Sequence, residues 1–359
     1  MPNTPKPYLF FADLIRASAV IGVVVLHTMD PVFTRPDFFG GTIWWLTHFI
    51  GMLCRSAVPL FIMLSGYLTL DKNKSLETMW SKTWLRIILP GLSAFFIYSV
   101  FELIVGRLSG SPLHIAGMIF DKFNMNTSSH LFFLIVLFFL YLATPFLDTL
   151  FAYSRKIQLT FIVALFIFSM LSLIAYHTTF DSNPSAYNNY TTWISYLGYY
   201  LFGYYVHAME WSKKRAQSIT IALVIAYLVG VFGSYQAYAQ SSTLVLTEIP
   251  YFSNYFSINI IVQSLALFIL GVKGQISYYV QRFSSLQFIV QFIAAQSFGL
   301  YLYHLLVMYI FNFNVNTFPV GGLLIFLVIS MSSVFFTTLL LVFALRRSKL
   351  LFLIGEKAV

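Results

Sequence analysis

The chain is poor in charge. Only 9% of its 359 residues are Asp, Glu, Lys or Arg, against about 25% in an average soluble domain. Hydrophobic residues make up 59%, and the mean hydropathy is +0.80. That deficit excludes a soluble globular protein and defines an all-α integral membrane protein. Carboxylates are scarcer than bases, 12 against 21, which leaves a net charge of +9. In a soluble protein such a surplus would point to nucleic acid. Here most bases sit in short loops between apolar runs, where membrane topology accounts for them, so no nucleic-acid partner is expected. A single cysteine, Cys54, rules out a disulfide within the chain and reads as helix packing. Repeats of fixed period, low-complexity tracts and polar modules are missing too. The expectation is one polytopic domain over 1–359, with no fused soluble domain and no cleavable signal peptide.

What the chain has in plenty is apolar runs of membrane length. A spanning helix needs about 20 mostly apolar residues. That rule predicts about ten transmembrane helices, at 8–29, 43–70, 83–105, 131–150, 158–176, 193–211, 217–238, 254–272, 288–311 and 319–345. The second contains Arg55 and Pro59 and is expected to kink or break. The longest loop, about 106–130, contains Leu113 to Phe123, a candidate interfacial helix. Alternate loops, together with the termini, collect 16 of the Lys and Arg residues, and the opposite side collects 3. The positive-inside rule then predicts that N- and C-termini are cytosolic, which requires an even number of spans.

Two cations, Arg16 and Arg55, remain inside spans. Ionisable groups at membrane depth are costly and usually mark a site. The first span reads R-A-S-A-V-I-G-V-V-V-L-H-T-M from Arg16 to Met29. Eleven residues separate Arg16 from His27, close to three helical turns, so both lie on one face about 16 Å apart. Asp13, three residues before Arg16, is able to pair with it. The predicted direction of each span then sorts the other polar residues by depth. His27, His130, His304 and Glu102 fall in the outer half; Arg16, Lys82 and Arg86 fall in the inner half, with Lys72 and Lys74 close by. This suggests a basic vestibule for a phosphate-bearing donor and an outer histidine cluster for acid–base chemistry. The plainer alternatives are hydrogen-bonded structural histidines, Lys82 and Arg86 as interfacial anchors, and Arg16 as a structural partner of Asp13. Three histidines on distant spans give no metal-spacing signature, and no metal is expected.

Four segments in order carry a resemblance. They are D-L-I-R-A-S-A-V-I-G-V-V-V-L-H (Asp13 to His27), R-S-A-V-P-L-F-I-M-L-S-G-Y-L (Arg55 to Leu68), S-H-L-F-F-L-I-V-L-F-F-L-Y-L-A-T-P (Ser129 to Pro145) and S-F-G-L-Y-L-Y-H (Ser297 to His304). Y-Y-L-F-G-Y-Y (Tyr199 to Tyr205) adds a weaker fifth. Together they resemble acyltransferase family 3, membrane acyltransferases of about ten spans, and within it the subgroup of the enterobacterial-common-antigen O-acetyltransferase. The chain departs from many members in two places. H-L-F-F-L-I-V lacks the glutamates that often follow the histidine, and Lys82-T-W-L-Arg86 stands where many have R-x-x-R.

The resemblance implies an O-acyltransferase of the bacterial inner (cytoplasmic) membrane. It would move an acetyl group from cytosolic acetyl-CoA, a co-substrate, to a hydroxyl of a surface glycan, free or lipid-linked, such as lipopolysaccharide O-antigen. His27, Arg16, His304 and His130 are the expected catalytic residues. Arg16, Arg86, Lys82 and Arg55 are the expected donor-binding ones, with Arg55 alternatively placed to stabilise the thioester oxyanion or the negative charge of a lipid-linked or acidic glycan. Tyr187, Tyr190 and Trp193 are candidates for stacking on sugar or for an interfacial belt. The alternative is a glycan or organic-acid exporter without transferase activity.

Overall fold

The computed structural model describes residues 8–33, 36–70, 75–106, 114, 129–179, 192–240, 251–312, 322–348 and 350–355. Among the described residues every regular element is helical. In hydrocarbon each backbone N–H and C=O must be satisfied within its own segment. Thirteen helices carry the fold. They are α1 Phe10–Phe33, α2 Thr42–Cys54, α3 Ala57–Thr69, α4 Leu76–Thr83, α5 Leu89–Ile104, α6 Phe132–Leu147, α7 Arg155–Thr179, α8 Thr192–Tyr205, α9 Lys213–Gln240, α10 Ile258–Lys273, α11 Ile276–Gln281, α12 Ser284–Phe311 and α13 Leu323–Arg347.

Nine stretches among the described residues are long and apolar enough to cross a membrane, counting α2 with α3 and α4 with α5 as single passes. The expected span at 193–211 differs. Its helix, α8, holds only 14 residues, and Ser195 to Gly203 are all buried. The helical run continues through Val206–Ala208, and the segment lies inside the bundle, where protein surrounds it. The expected interfacial helix at Leu113 to Phe123 lies outside the described residues apart from His114. So do Lys6, Arg35, Lys72, Lys74, Tyr187 and Tyr190.

Helix α1 is central. Phe10 and Ala17 pack with Val290 and Ala294 at the start of α12. Met29 and Val32 pack with Leu323, Phe326 and Leu327 at the start of α13. The beginnings of α1 and α12 and the end of α13 therefore share one face of the bundle, called proximal below; the opposite face is distal.

The closest helix approach joins α3 to α8. A Cβ added at Gly66 would collide with the Tyr200 carbonyl, and one added at Gly203 with the Met63 carbonyl. Each glycine lets the partner's backbone fill the space of a side chain. Lipid supplies no hydrophobic drive between helices, so such small-residue contact is what holds them together.

Two interruptions shape the site. Helices α2 and α3 part at Arg55 and Ser56. Pro59 has no N–H to return to the Arg55 carbonyl, so the ladder opens there. Gln263 of α10 supplies replacement donors. Its Nε2 lies 3.0 Å from the Met52 carbonyl and 2.8 Å from Ser56 Oγ. Between α4 and α5, residues Trp84–Ile88 form a π-turn, with the Leu89 N–H bonded to the Trp84 carbonyl. Pro90 is unable to donate to Arg86, and the wider turn accommodates that loss.

Candidate active site

An open cavity of about 710 Å³ enters the proximal half between α1, α3, α6 and α12. Asp13 and Arg16 of α1, Lys82 of α4 and Arg86 of the π-turn line its mouth. Arg16 Nη1 lies 2.9 Å from Asp13 Oδ1. The other carboxylate oxygen accepts from Tyr8, whose hydroxyl also accepts from Gln291 at 2.8 Å. Lys82 and Arg86 have no carboxylate within ion-pair distance among the described residues. The cavity thus presents three cations against one carboxylate. Lys82 and Arg86 are four residues apart, a spacing that puts both on one helix face and one cavity wall. The floor is aliphatic and aromatic, with Leu64, Leu68, Leu137 and Phe133, and its distal limit is Tyr301. A wall is added by Ile354 and Gly355, which follow α13 and fold back beneath the bundle. Gly355 takes φ +71° there, a left-handed conformation that favours glycine.

Beyond Tyr301 stands a cluster of imidazoles. The Tyr301 ring is 6.2 Å from both His130 and His304, centroid to centroid. His304 is 5.3 Å from His27 and 5.7 Å from His130. Three histidines from α1, the turn before α6, and α12 therefore meet at one depth. Among the described residues no three of His, Cys, Asp and Glu are arranged to hold a metal ion.

Hydrogen bonds fix two of the tautomers. His27 Nδ1 lies 3.1 Å from Asp30 Oδ2. A carboxylate accepts, so Nδ1 carries the proton and Nε2 presents its lone pair. His304 Nδ1 lies 2.8 Å from the Tyr301 carbonyl and 3.2 Å from that of Leu300. The same reasoning leaves His304 Nε2 as an acceptor, buried and without a hydrogen-bond partner. His27 is about a quarter exposed and His304 is fully buried.

Tyrosines hold this cluster in place. The Tyr98 hydroxyl donates to the Leu302 carbonyl at 3.1 Å and accepts from the Leu306 N–H at 2.8 Å. It is thereby inserted into the ladder of α12 across His304. The Tyr301 hydroxyl donates to the His130 carbonyl, tying α12 to the start of α6.

Sequence reasoning named Arg16, Lys82, Arg86, His27, His130 and His304, and the fold brings them together as one cavity and one cluster. Arg55 sits at the α2–α3 break, outside the cavity lining. Glu102 is buried near the distal end of α5. Trp193 stacks on Phe139, with centroids 5.7 Å apart. Asp30, Tyr98, Tyr301 and Gln263 carried no predicted role. The spacing H-x-x-D in His27-Thr28-Met29-Asp30 was a readable signal for Asp30, since residues three apart on a helix are neighbours. The tyrosines and Gln263 had no such local signal.

A multi-pass helical bundle with a basic cavity that ends at Tyr301, and a histidine cluster behind that ring, has the layout of a membrane group-transfer enzyme. A family model described as an acyltransferase domain matches residues 9–343, and the chain belongs to acyltransferase family 3. No curated protein and no solved structure gives a significant match. Family membership supports membrane O-acyltransferase activity on a polysaccharide or similar acceptor.

Proposed function

We propose that this chain is an acetyl-CoA-dependent O-acetyltransferase. In this reading it has ten spans and cytosolic termini, lies in the bacterial inner membrane, and modifies a surface glycan such as O-antigen. It resembles the common-antigen O-acetyltransferase subgroup in the order of its motifs. The observation that carries the reading is the succession along the bundle of a cavity with surplus positive charge, the Tyr301 ring that limits it, and the histidine cluster behind that ring. Arg16, Lys82 and Arg86 suit the phosphates of CoA, and the apolar floor suits its slender arm and acyl end. The proximal face is then cytosolic.

His27 acts on the acceptor. Its Nε2 takes the proton of a sugar hydroxyl as the oxygen adds to the thioester carbonyl carbon. The carbon–sulfur bond then breaks, and the CoA thiolate leaves on the proximal side and takes up a proton there. Asp30 holds Nδ1–H and balances the imidazolium that forms, as the aspartate does in Ser-His-Asp triads. His304 packs on the His27 ring, and His130 packs on His304.

The test is mass spectrometry of the surface glycan from cells with wild-type chain, His27→Ala, or neither. An acetyl ester present only with the wild type supports the reading and names the acceptor. Equal ester content in all three overturns it. Binding of acetyl-CoA in detergent separates the transferase from an exporter.

A further inference from the structure

The middle of the membrane contains a cation outside the lining of the donor cavity. Arg55 occupies the two-residue break between α2 and α3, half-way along a 28-residue membrane pass. Its side chain is partly buried, and among the described residues it has no hydrogen bond and no ion pair. Gln263 Nε2 answers other polar groups at the break, while its own Oε1 is buried with no hydrogen-bond partner among the described residues. The open carbonyls of Met52 and Leu53 and the Ser56 hydroxyl all receive Gln263. An unanswered guanidinium at membrane depth is costly, and natural chains keep one where a ligand or a pathway supplies the missing charge.

Its surroundings say where that charge comes from. Gly22 of α1 packs against Cys54 and Ala57 on either side of the break. Arg55 therefore stands beside the helix that carries His27 and Asp30 one to two turns further out. The charges of Arg55 and Asp30 both act on the hydroxyls of Tyr238 and Tyr255, the first at the distal end of α9 and the second just before α10. Asp30 is engaged by His27 Nδ1 and does not form an ion pair with Arg55. The result is a guanidinium, two phenols and the His27–Asp30 pair around one distal region, on the side away from the donor cavity.

We infer that Arg55 holds an anionic group of the acceptor, a sugar carboxylate or a lipid-linked phosphate, placed beside the hydroxyl that His27 deprotonates. This rests on the transferase reading for the identity of the reaction, and it adds the chemical class of the acceptor. A planar guanidinium is suited to both anions, because each offers two oxygens to its paired donors. A neutral glycan would leave the cation as unanswered as before.

The test uses full-length protein in detergent and three probes, namely glucuronate, undecaprenyl phosphate and glucose. Thermal unfolding is followed with each, for wild type, Arg55→Gln and Arg55→Lys. At least one anionic probe is expected to stabilise the wild type at concentrations where glucose does not. Its apparent affinity should fall about tenfold or more in Arg55→Gln, with partial retention in Arg55→Lys. A response to glucuronate alone assigns an acidic sugar, and a response to undecaprenyl phosphate alone assigns a lipid carrier. Equal responses to glucose and the anions, no response to either anion, or an undiminished response in Arg55→Gln would each overturn the inference. Should Arg55→Gln not fold, Arg55→Lys with the same probes decides. Acetyl-CoA binding, measured on the same samples, should be unchanged in the folded Arg55 variants. If wild type itself does not bind acetyl-CoA, the transferase reading fails, whatever the anion probes show.

Discussion

The proximal cavity holds exposed cations, Lys82 and Arg86, whereas the distal histidine cluster holds buried imidazoles, His130 and His304. In the cavity, Lys82 and Arg86 have no carboxylate partner among the described residues and face an open space of about 710 Å³. In the cluster, rings stand 5.3 and 5.7 Å apart, and the Nδ1 atoms of His27 and His304 are each bonded within the protein. Charge left unanswered is charge reserved for a ligand. An imidazole with one nitrogen occupied is an imidazole whose other nitrogen is aimed. The first arrangement supplies affinity and the second supplies a base of fixed tautomer, so substitutions on the two sides should separate binding from chemistry.

The largest effect expected abolishes the contrast itself. Helix α3 lines the cavity and α8 packs on it through Gly66 and Gly203, so Gly203→Leu should yield no monodisperse protein on size exclusion, with both sites lost together. A folded variant with normal thermal unfolding would show that the crossing is not the anchor of either site. His27→Ala comes next. Turnover should fall roughly 10²- to 10⁴-fold, the usual contribution of a general base, while acetyl-CoA affinity stays at the wild-type value. Loss of acetyl-CoA binding in that variant would merge the two regions into one.

Asp30→Asn should lower kcat on the order of 10²-fold by releasing the His27 tautomer, with the donor KM unaltered. An equal rise in KM would reassign Asp30 to binding. Arg86→Ala acts on the other region. It should raise the donor KM about tenfold through loss of a charge-assisted contact, with kcat at saturation little changed. The smallest effect falls to Tyr98→Phe. It removes one hydroxyl from the ladder of α12 and should lower stability by roughly 1 kcal/mol, with a several-fold loss of kcat and no change in donor KM. A wild-type kcat there would mean that His304 needs no such support.

Much of this layout was legible in the sequence. Long apolar runs announced the spans, because lipid demands a continuous helix of membrane length. The eleven-residue spacing of Arg16 and His27 placed a cation and an imidazole on one face. Pro59 announced the break after Arg55. Other features were hidden for identifiable reasons. The segment from Ser195 to Gly203 is as apolar as a span, yet it is a buried 14-residue helix, and composition alone does not separate protein surroundings from lipid. Asp30 was visible as H-x-x-D but lay at the end of an apolar run, where a carboxylate is unremarkable. Tyr98 and Gln263 act on carbonyls some 200 positions away in the chain, and no local pattern encodes that reach.

The amino-acid sequence by itself determined the membrane class, the helical architecture and the identity of the cations and histidines at issue, because hydropathy, proline placement and helical periodicity are local properties. Only the tertiary structure decided which of them meet. It gathered three cations from α1, α4 and the π-turn around one cavity, brought three histidines from distant segments together behind Tyr301, and left Arg55 outside the cavity lining. Those outcomes depend on how helices cross and which backbones approach, as at Gly66 and Gly203. Such close packing is a property of pairs of helices rather than of any single one.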